Sequence, residues 1–314
     1  MILFLAKRDD LHVDPVLLKC KEHGANCFRL DPEDEWFENS KLTLQQGKNR
    51  GFLETPSRKL DLNHVTSVFC RDFSFAECKD EVEIEHHIGY SESKAALKSM
   101  FLMLDSSYWM NSPWVEEKID NKAFQSIKAS QAGLNVPEFI ITNQQAQAIE
   151  FHRLYKGEVV IKQLSDICME HQQQEKVYSL YTQKVNESDL NDLEGYPCFL
   201  QRHIKKSFDI RVVYVAGSLF PYKIHSQENH ESRIDFRVIK DLNTERFQLP
   251  NYIEQNLLKL TSNLGLEFCC IDLILDQDNT YWFLEANVQG NWLWHEEESY
   301  PIVNRIAKML SRTV

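Results

Sequence analysis

The stretch CCIDLILDQDNTYWFLEANVQGNWLW, residues 269–294, places acidic residues inside two apolar runs. The residues between the runs, Asp-Gln-Asp-Asn at 276–279, are turn formers, so the stretch predicts a β-hairpin. If the loop has two or four residues, Asp272 pairs with Phe283 and lies diagonal to Glu285. A three-residue loop would change this parity.

The predicted register brings three polar side chains to one face of the hairpin. Asp272, Glu285 and Asn287 would lie within roughly 5–8 Å of one another. Two carboxylates that close repel each other and lose hydration. A hard divalent cation compensates for both costs, and oxygen ligands favour Mg²⁺, or Mn²⁺ in its place, over zinc. The alternative is a hairpin whose acidic face is exposed to water.

The composition excludes several classes of function. A chain of 314 residues with 43% hydrophobic and 26% charged residues can hold two domains or three small lobes. Its formal net charge of −12 argues against nonspecific nucleic acid binding. The apolar run MILFL is too short for a signal sequence or a membrane span, so we expect no membrane partner and a cytoplasmic location. Eight cysteines without a CxxC pair predict free thiols.

Element patterns predict an α/β lobe followed by two further units. Short strands alternate with helices at the start of the chain, which is typical of a parallel sheet. The second unit begins with the amphipathic helix NKAFQSIKASQAGL, which ends at Gly133 before a strand. The apolar strand EVVIKQLS carries Lys162 near its end. Residues 164–187 are polar and glycine-free, and they predict a loop followed by a strand.

The last unit contains another hairpin and two helices. DIRVVYV and SLFPYKI flank Ala216-Gly217, so they predict a hairpin on which Asp209 and Arg211 share a face. From spacing alone, these two residues could equally form a surface ion pair. The segments PNYIEQNLLKLTSNLGL and PIVNRIAKML have helical periodicity.

The order of these features resembles that of the ATP-grasp superfamily of carboxylate ligases. A helical lysine is followed by a lysine that ends a strand, the strand FLQRHI, an Asp-x-Arg, and a late strand Asp with Glu-x-Asn. The resemblance covers residues 110–310 and implies an α/β (α+β) ATP-grasp fold. It implies an N-terminal α/β pre-ATP-grasp domain at 1–110, a central lobe at 111–198 and a C-terminal lobe at 199–314. The last two would clamp the nucleotide.

Local segments resemble more closely the ligases that modify ribosomally made peptides, the microviridin and graspetide maturases. They include SFDIRVVYVAGSLF, RIDFRV and EANVQGNWLW. The chain departs from that family in having Val288 where proline is usual and in its glycine-poor loop at 164–176. The resemblance implies ATP-dependent activation of Asp or Glu side chains of a precursor peptide, followed by ester or amide ring closure. The partner would be a peptide with a leader and an acidic core that contains Thr/Ser or Lys, and the enzyme could form a homodimer.

The resemblance also assigns roles to individual residues. Mg²⁺ would be held by Asp272, Glu285 and Asn287. Arg211 and Arg237 would be catalytic cations for the transferring phosphate and the acyl phosphate. ATP would be bound by Lys122, Lys162, Gln201, Arg202, His203, Ile204 and Asp209. Within this set, the lysines would reach the phosphates or the adenine edge, residues 201–204 would present backbone groups to the adenine, and Asp209 would contact the ribose. On physical grounds alone, Lys122 is simply a solvated helical lysine.

Peptide recognition and proton transfer are less defined by the sequence. A general base could be His203, His225 or His295, although a single histidine is more often structural. Positive groups for an acidic peptide could be Arg71, Lys205, Lys206 and Lys223, with solvated surface charges as the alternative. Two rival functions are an amino-acid ligase that acts on a protein or peptide end, and a nucleotide-binding module without catalysis.

Overall fold

A computed structural model describes residues 1–31, 40–47, 50–71, 84–164, 169–171, 176–178, 181–191, 193, 195–239, 243–298 and 300–312. The chain divides into two compact units, Met1–Val115 with Gln289–Val314, and Glu116–Val288. The three-lobe division at 110 and 198 stays a prediction. None of the helices among the described residues is long and apolar enough to cross a membrane.

A four-stranded parallel sheet in the order β2-β1-β6-β7 forms the centre of the first unit, as the alternating pattern predicted. Parallel neighbours need crossover connections, and α1 and α2 occupy two of them. A small antiparallel sheet, β3-β4-β5, is formed by the part of the chain between β2 and β6. The elements of this unit are β1 (Ile2–Leu5), α1 (Val13–Glu22), β2 (Cys27–Leu30), β3 (Lys41–Leu44), β4 (Gly51–Glu54), β5 (Lys59–Asp61), β6 (Ser67–Cys70), α2 (Ile84–Leu102) and β7 (Tyr108–Met110).

The chain returns to this unit after residue 288. Arg71, at the end of β6, is buried and pairs with Asp10 at 2.8 Å. Its guanidinium also donates to the carbonyls of Gln289 and Gly290 and to Asn291 Oδ1. Arg71 therefore anchors the returning segment, and the alternative of a solvated surface charge is wrong, whereas peptide contact stays a prediction.

The second unit is built from two antiparallel sheets. One has the order β12-β9-β13-β8 and the other β16-β15-β14-β17-β18. Its elements, together with the helices at its borders, are α3 (Pro113–Ile119), α4 (Lys122–Ala132), β8 (Phe139–Thr142), α5 (Gln145–Leu154), β9 (Val159–Lys162), β10 (Met169–His171), β11 (Lys176–Tyr178), β12 (Gln183–Lys184), β13 (Cys198–Arg202), β14 (Lys206–Val215), β15 (Ser218–Ile224), β16 (Thr244–Arg246), α6 (Asn251–Leu264), β17 (Phe268–Asp276) and β18 (Tyr281–Asn287). The closing helix α7 (Ile302–Ser311) belongs to the first unit.

Helix α4 begins and ends where its sequence predicts. The Asn121 side chain accepts a hydrogen bond from the Phe124 amide and caps the N-terminus. Gly133 ends the helix with a φ of 99°, a conformation that costs glycine least. By contrast, the loop predicted after β9 is wrong in part, because β10 and β11 pair there as an antiparallel hairpin.

The register of the β17–β18 hairpin differs from the prediction. Asp276 and Thr280 pair across a three-residue loop in which Asn279 has a φ of 60°, which is a common hairpin geometry. Leu273 therefore pairs with Phe283. A β-bulge at the next step leaves Leu284 without a partner and pairs Asp272 directly with Glu285. The predicted pairing of Asp272 with Phe283 is wrong, but the bulge restores the shared face.

Candidate active site

An open pocket in the second unit, with about 620 Å³ of empty volume including its mouth, is lined from both sheets and from the segment that follows β15. It brings together most of the predicted site residues, namely Lys162, Gln201, Arg202, His203, Ile204, Asp209, Arg237, Asp272 and Glu285. Arg211 and Asn287 contact this set, as described below.

The acidic pair at the base of the pocket is buried. Asp272 is 3% exposed and Glu285 is 8% exposed, so the alternative of a water-facing acidic hairpin is wrong. The Asn287 amide donates from Nδ2 to Asp272 Oδ2 at 3.1 Å and to Glu285 Oε1 at 3.2 Å. Burial, together with the negative charge of Glu285, raises the pKa of Asp272 to about 6 although Arg211 opposes the shift.

Arg211 lies directly opposite Asp272 on the neighbouring strand β14. Its Nη1 donates to Asp272 Oδ1 at 3.0 Å and to Oδ2 at 3.2 Å. Both side chains are buried, so the predicted alternative of a surface pair with Asp209 is wrong. A buried guanidinium fixed in this way supplies positive charge to the pocket without reorganising.

Arg237 supplies a second guanidinium from a short 3₁₀ helix, Phe236–Val238. Asp235 accepts hydrogen bonds from its Nε at 2.9 Å and its Nη2 at 2.7 Å. The third nitrogen, Nη1, lies 3.5 Å from Glu285 Oε1. The hydrogen bonds to Asp235 raise the pKa of Arg237, so this cation stays charged. Asp235 thus holds Arg237 beside the acidic pair.

The positive charges of the two predicted phosphate lysines act on Glu285. Burial lowers the pKa of Lys162, and the charges of Arg237 and Lys122 lower it further. Burial would raise the pKa of Glu285, but the charges of Lys162, Arg237 and Lys122 outweigh this effect and lower it. Lys122 is the first residue of α4 and is half-buried, so it is not a fully solvated surface lysine.

The predicted adenine-binding segment, residues 201–204, consists of the last two residues of β13 and the two residues that follow the strand. The Arg202 amide donates to the Glu138 carbonyl and the His203 amide to the Glu158 carbonyl, so neither is free for a ligand. Among the described residues, none accepts a hydrogen bond from the Ile204 amide. The donor that this segment can offer to a base edge is therefore at Ile204, with carbonyl groups as acceptors.

Asp209 has a different set of contacts from the one expected of a ribose ligand. Lys206 Nζ donates to Oδ1 at 2.9 Å, and Ser226 Oγ donates to Oδ2. Lys206 also donates to the carbonyl of Ile234 at 3.1 Å. Burial raises the pKa of Asp209 even though Lys206 opposes it. With both oxygens engaged, Asp209 supports the segment that carries Arg237, and ribose contact stays a prediction.

Two residues of the site were missed or misassigned from the sequence. Lys206 is buried in the pocket, so neither the peptide contact nor the solvated charge predicted for it fits its position. Asp235 was not singled out, although its spacing from Arg237 in RIDFRV could have indicated a local pair. Of the remaining candidates for peptide contact, Lys223 pairs with Glu245 at 2.7 Å and Lys205 lies 3.5 Å from Glu158.

The three histidines considered as bases all have structural contacts. His203 contacts Glu158 at 3.1 Å, and burial lowers its pKa. His225 lies 3.2 Å from Glu228 and 3.1 Å from Glu245. His295 is buried and accepts a hydrogen bond from Trp294 Nε1. These contacts point to structural roles and give none of them a distinctive position as a base.

The donor set at the acidic pair fits a hard cation that is shared with another ligand. No group of three or more His, Cys, Asp or Glu residues in the described part of the chain could hold a metal ion alone. Two carboxylates and one amide oxygen would supply part of an Mg²⁺ shell, and nucleotide phosphates commonly complete it. In the present arrangement Asn287 donates to both carboxylates, so its amide must turn over to offer Oδ1.

Comparisons with known proteins agree with this geometry. The family model for the MvdD pre-ATP grasp domain matches residues 1–117. None of the curated proteins compared with the sequence matches it. A Chryseobacterium gregarium RiPP-associated ATP-grasp ligase, in complex with ADP and a leader and core peptide, is 23% identical, with a TM-score of 0.86 over 100% of this chain and 97% of its own.

Two further solved structures have the same fold. Macrocyclase MdnB from Microcystis aeruginosa MRC is 27% identical, with a TM-score of 0.79 over 98% of both chains. ATP-grasp ligase PsnB, complexed with minimal precursor, Mg and ADP, is 18% identical, with a TM-score of 0.76 over 98% of this chain and 97% of its own. The chain therefore has the ATP-grasp ligase fold with an N-terminal pre-ATP-grasp domain, and the fold predicted from the sequence is confirmed.

Proposed function

We propose that this chain is an ADP-forming ATP-grasp ligase that closes ester or amide rings in a ribosomally made precursor peptide. It would activate Asp or Glu side chains of the peptide as acyl phosphates, which a Ser/Thr hydroxyl or a Lys amine then attacks. The observation that carries this proposal is the cluster at the pocket in which the buried Asp272, Glu285 and Arg211 lie with the half-buried Asn287 and the more exposed Arg237. Related ligases of this fold hold ADP together with a leader and core peptide, or with a minimal precursor and Mg.

The cluster has the chemistry that carboxylate activation requires. A carboxylate resists nucleophilic attack because it is negatively charged and lacks a leaving group, and phosphorylation removes both obstacles. Phosphoryl transfer in turn needs fixed positive charge around the transferring group. Mg²⁺, when bound, would neutralise charge on the phosphate oxygens. The buried Arg211 and the partly exposed Arg237, both next to the acidic pair, provide the rest of the positive charge.

In this proposal, the predicted site residues in and beside the pocket have the following roles. Asp272, Glu285 and Asn287 would hold Mg²⁺. Arg211 and Arg237 would bind the transferring phosphate and the oxyanion of the tetrahedral intermediate through their planar donors. Lys122 and Lys162 would bind the α- and β-phosphates. The Ile204 amide would donate a hydrogen bond to the edge of the adenine. The apolar Ile274 and Leu284 line the same pocket.

The proposal extends to location and domain organisation. A ribosomally made substrate and ATP are both available in the cytoplasm, so we place the reaction there. We also propose that residues 111–198 and 199–314 act as the two lobes that close on the nucleotide. Site residues lie on both antiparallel sheets of the second unit, which supports two lobes, but β13 pairs with β8 and β9 and therefore belongs to the sheet of the first lobe.

The test uses the purified full chain with ATP, Mg²⁺ and a candidate precursor peptide. This peptide is encoded by a short reading frame next to the gene of the enzyme and is rich in Thr/Ser and Asp/Glu. We expect peptide-dependent ADP release and the loss of one water per ring, measured by mass spectrometry. Addition of an amino-acid residue instead would identify an amino-acid ligase. Binding of ADP without any peptide-dependent turnover would identify a non-catalytic nucleotide-binding module and overturn the proposal.

A further inference from the structure

In the described part of the chain, no strand pairs with the outer edge of β18, the last strand of the large sheet, although Asn135 forms an isolated bridge there with Trp282. Such an edge leaves backbone donors and acceptors that need partners when they are buried. Ala286 lies on this strand between Glu285 and Asn287, and it is 2% exposed. The backbone position of Ala286 therefore determines where the side chains of Glu285 and Asn287 point.

Gln125, on helix α4, pairs with this edge in the manner of a neighbouring strand. Its Oε1 accepts a hydrogen bond from the Ala286 amide at 2.7 Å, and its Nε2 donates to the Ala286 carbonyl at 3.0 Å. The second proton of Nε2 goes to the carbonyl of Ile119 at 2.9 Å. Gln125 is 4% exposed, so the oxygen and the nitrogen of its side-chain amide both form their hydrogen bonds in the protein interior.

These contacts connect two parts of the site that are distant in sequence. Gln125 lies one helical turn after Lys122 on α4, and it forms hydrogen bonds with Ala286, the residue between two of the proposed Mg²⁺ ligands. Because the amide has two opposed contacts at one residue, it fixes the strand against sliding and twisting. Any displacement of β18 would change the distance from Glu285 and Asn287 to Asp272.

We propose that Gln125 is a positioning residue that sets the geometry of the metal site and couples it to the helix that carries Lys122. The inference rests on the proposed function, because it assumes that Asp272, Glu285 and Asn287 hold a divalent cation with the nucleotide. It assigns Gln125 no contact with ATP, metal or peptide. Residues that orient ligating groups typically change metal affinity by about 10- to 100-fold when they are replaced.

The experiment measures Mn²⁺ binding in the presence of ADP by electron paramagnetic resonance, without peptide. Gln125→Met keeps the length of the side chain but lacks the amide, and we expect it to weaken Mn²⁺ binding by about 10-fold or more. Hydrogen exchange at the Ala286 amide should become faster in the same variant, since its acceptor is lost. If Gln125→Met does not fold, Gln125→Asn carries the test, because its amide is one methylene too short to reach both groups.

Asn135→Ala is the matched control. Asn135 Nδ2 also donates to the edge of β18, at the carbonyl of Tyr281 at 3.1 Å, but at the far end of the strand from the ligands. Its loss should leave Mn²⁺ affinity unchanged. Equal affinity of wild type and both Gln125 variants would overturn the inference and leave the proposed function intact. Failure of the wild type to bind Mn²⁺ with ADP would instead count against the proposed function itself.

Discussion

Arg211 and Asp272 face each other across β14 and β17, and one guanidinium nitrogen contacts both carboxylate oxygens at 3.0 and 3.2 Å. Both residues are buried. Arg211→Ala would leave the Asp272 carboxylate without its main compensating charge. We expect the free energy of unfolding to fall by about 3 kcal/mol, measured by urea denaturation.

The same variant should lose catalysis on the order of 10³-fold, because a fixed transition-state cation is removed. Peptide-dependent ADP release measures this loss. Arg153→Ala is the control, since Arg153 forms an exposed pair with Glu187 and should change neither quantity much. Full activity in Arg211→Ala would show that this arginine has a structural role only.

Glu285→Ala should abolish ATP consumption, because it removes a buried carboxylate from the proposed Mg²⁺ site. The expected loss exceeds about 10²-fold in ADP release at saturating Mg²⁺. Asp278→Ala, in the exposed turn of the same hairpin, controls for a change of charge on these strands. Normal turnover by Glu285→Ala would contradict the metal assignment.

Asp235 holds Arg237 through two hydrogen bonds, and this suggests a chemical rescue experiment. Arg237→Ala should reduce turnover by about 10²-fold or more. Guanidinium ion added at millimolar concentration should restore part of that activity, since Asp235 remains to orient it. The Asp235→Ala/Arg237→Ala double variant should not be rescued. Equal rescue in both backgrounds would mean that Asp235 does not position the cation.

Glu158 predicts a pH dependence of stability. Burial would raise its pKa, but hydrogen bonds from His203 and Lys184 and the charge of Lys205 lower it to about 2. A carboxylate whose native pKa is depressed stabilises the fold at pH values above its unfolded pKa, and the contribution is lost as the pH falls toward 2. Glu158→Gln should therefore cost about 1–2 kcal/mol at pH 7, a value reduced for partial solvent screening.

Urea unfolding at pH 7 and at pH 3 tests this prediction. The difference between wild type and Glu158→Gln should be smaller at pH 3 than at pH 7. Glu138→Gln provides the comparison, because Glu138 pairs with Arg202 at the surface and should have little effect. A deficit in Glu158→Gln that is the same at both pH values would indicate lost packing rather than lost charge.

Local sequence was sufficient for much of the fold. Asn121 and Gly133 mark both ends of α4, and Ala216-Gly217, both with positive φ, marks the turn between β14 and β15. These features were predictable because capping and tight turns depend on residues close together in the chain. The sheet pairing of β10 and β11 was not predicted, since strands of three residues are too short to show a recognisable apolar period.

The sequence by itself determined that Glu285 and Asn287 would share one face of the last strand, because side-chain alternation is a local property. Tertiary structure alone decided that Asp272 pairs with Glu285 and that Arg211 faces Asp272. It also decided that Gln125 and Asp235 hold the site in place. The register depends on a bulge, and the contacts join residues from separate elements. Such relationships arise only when the sheets and helix α4 pack together and exclude water.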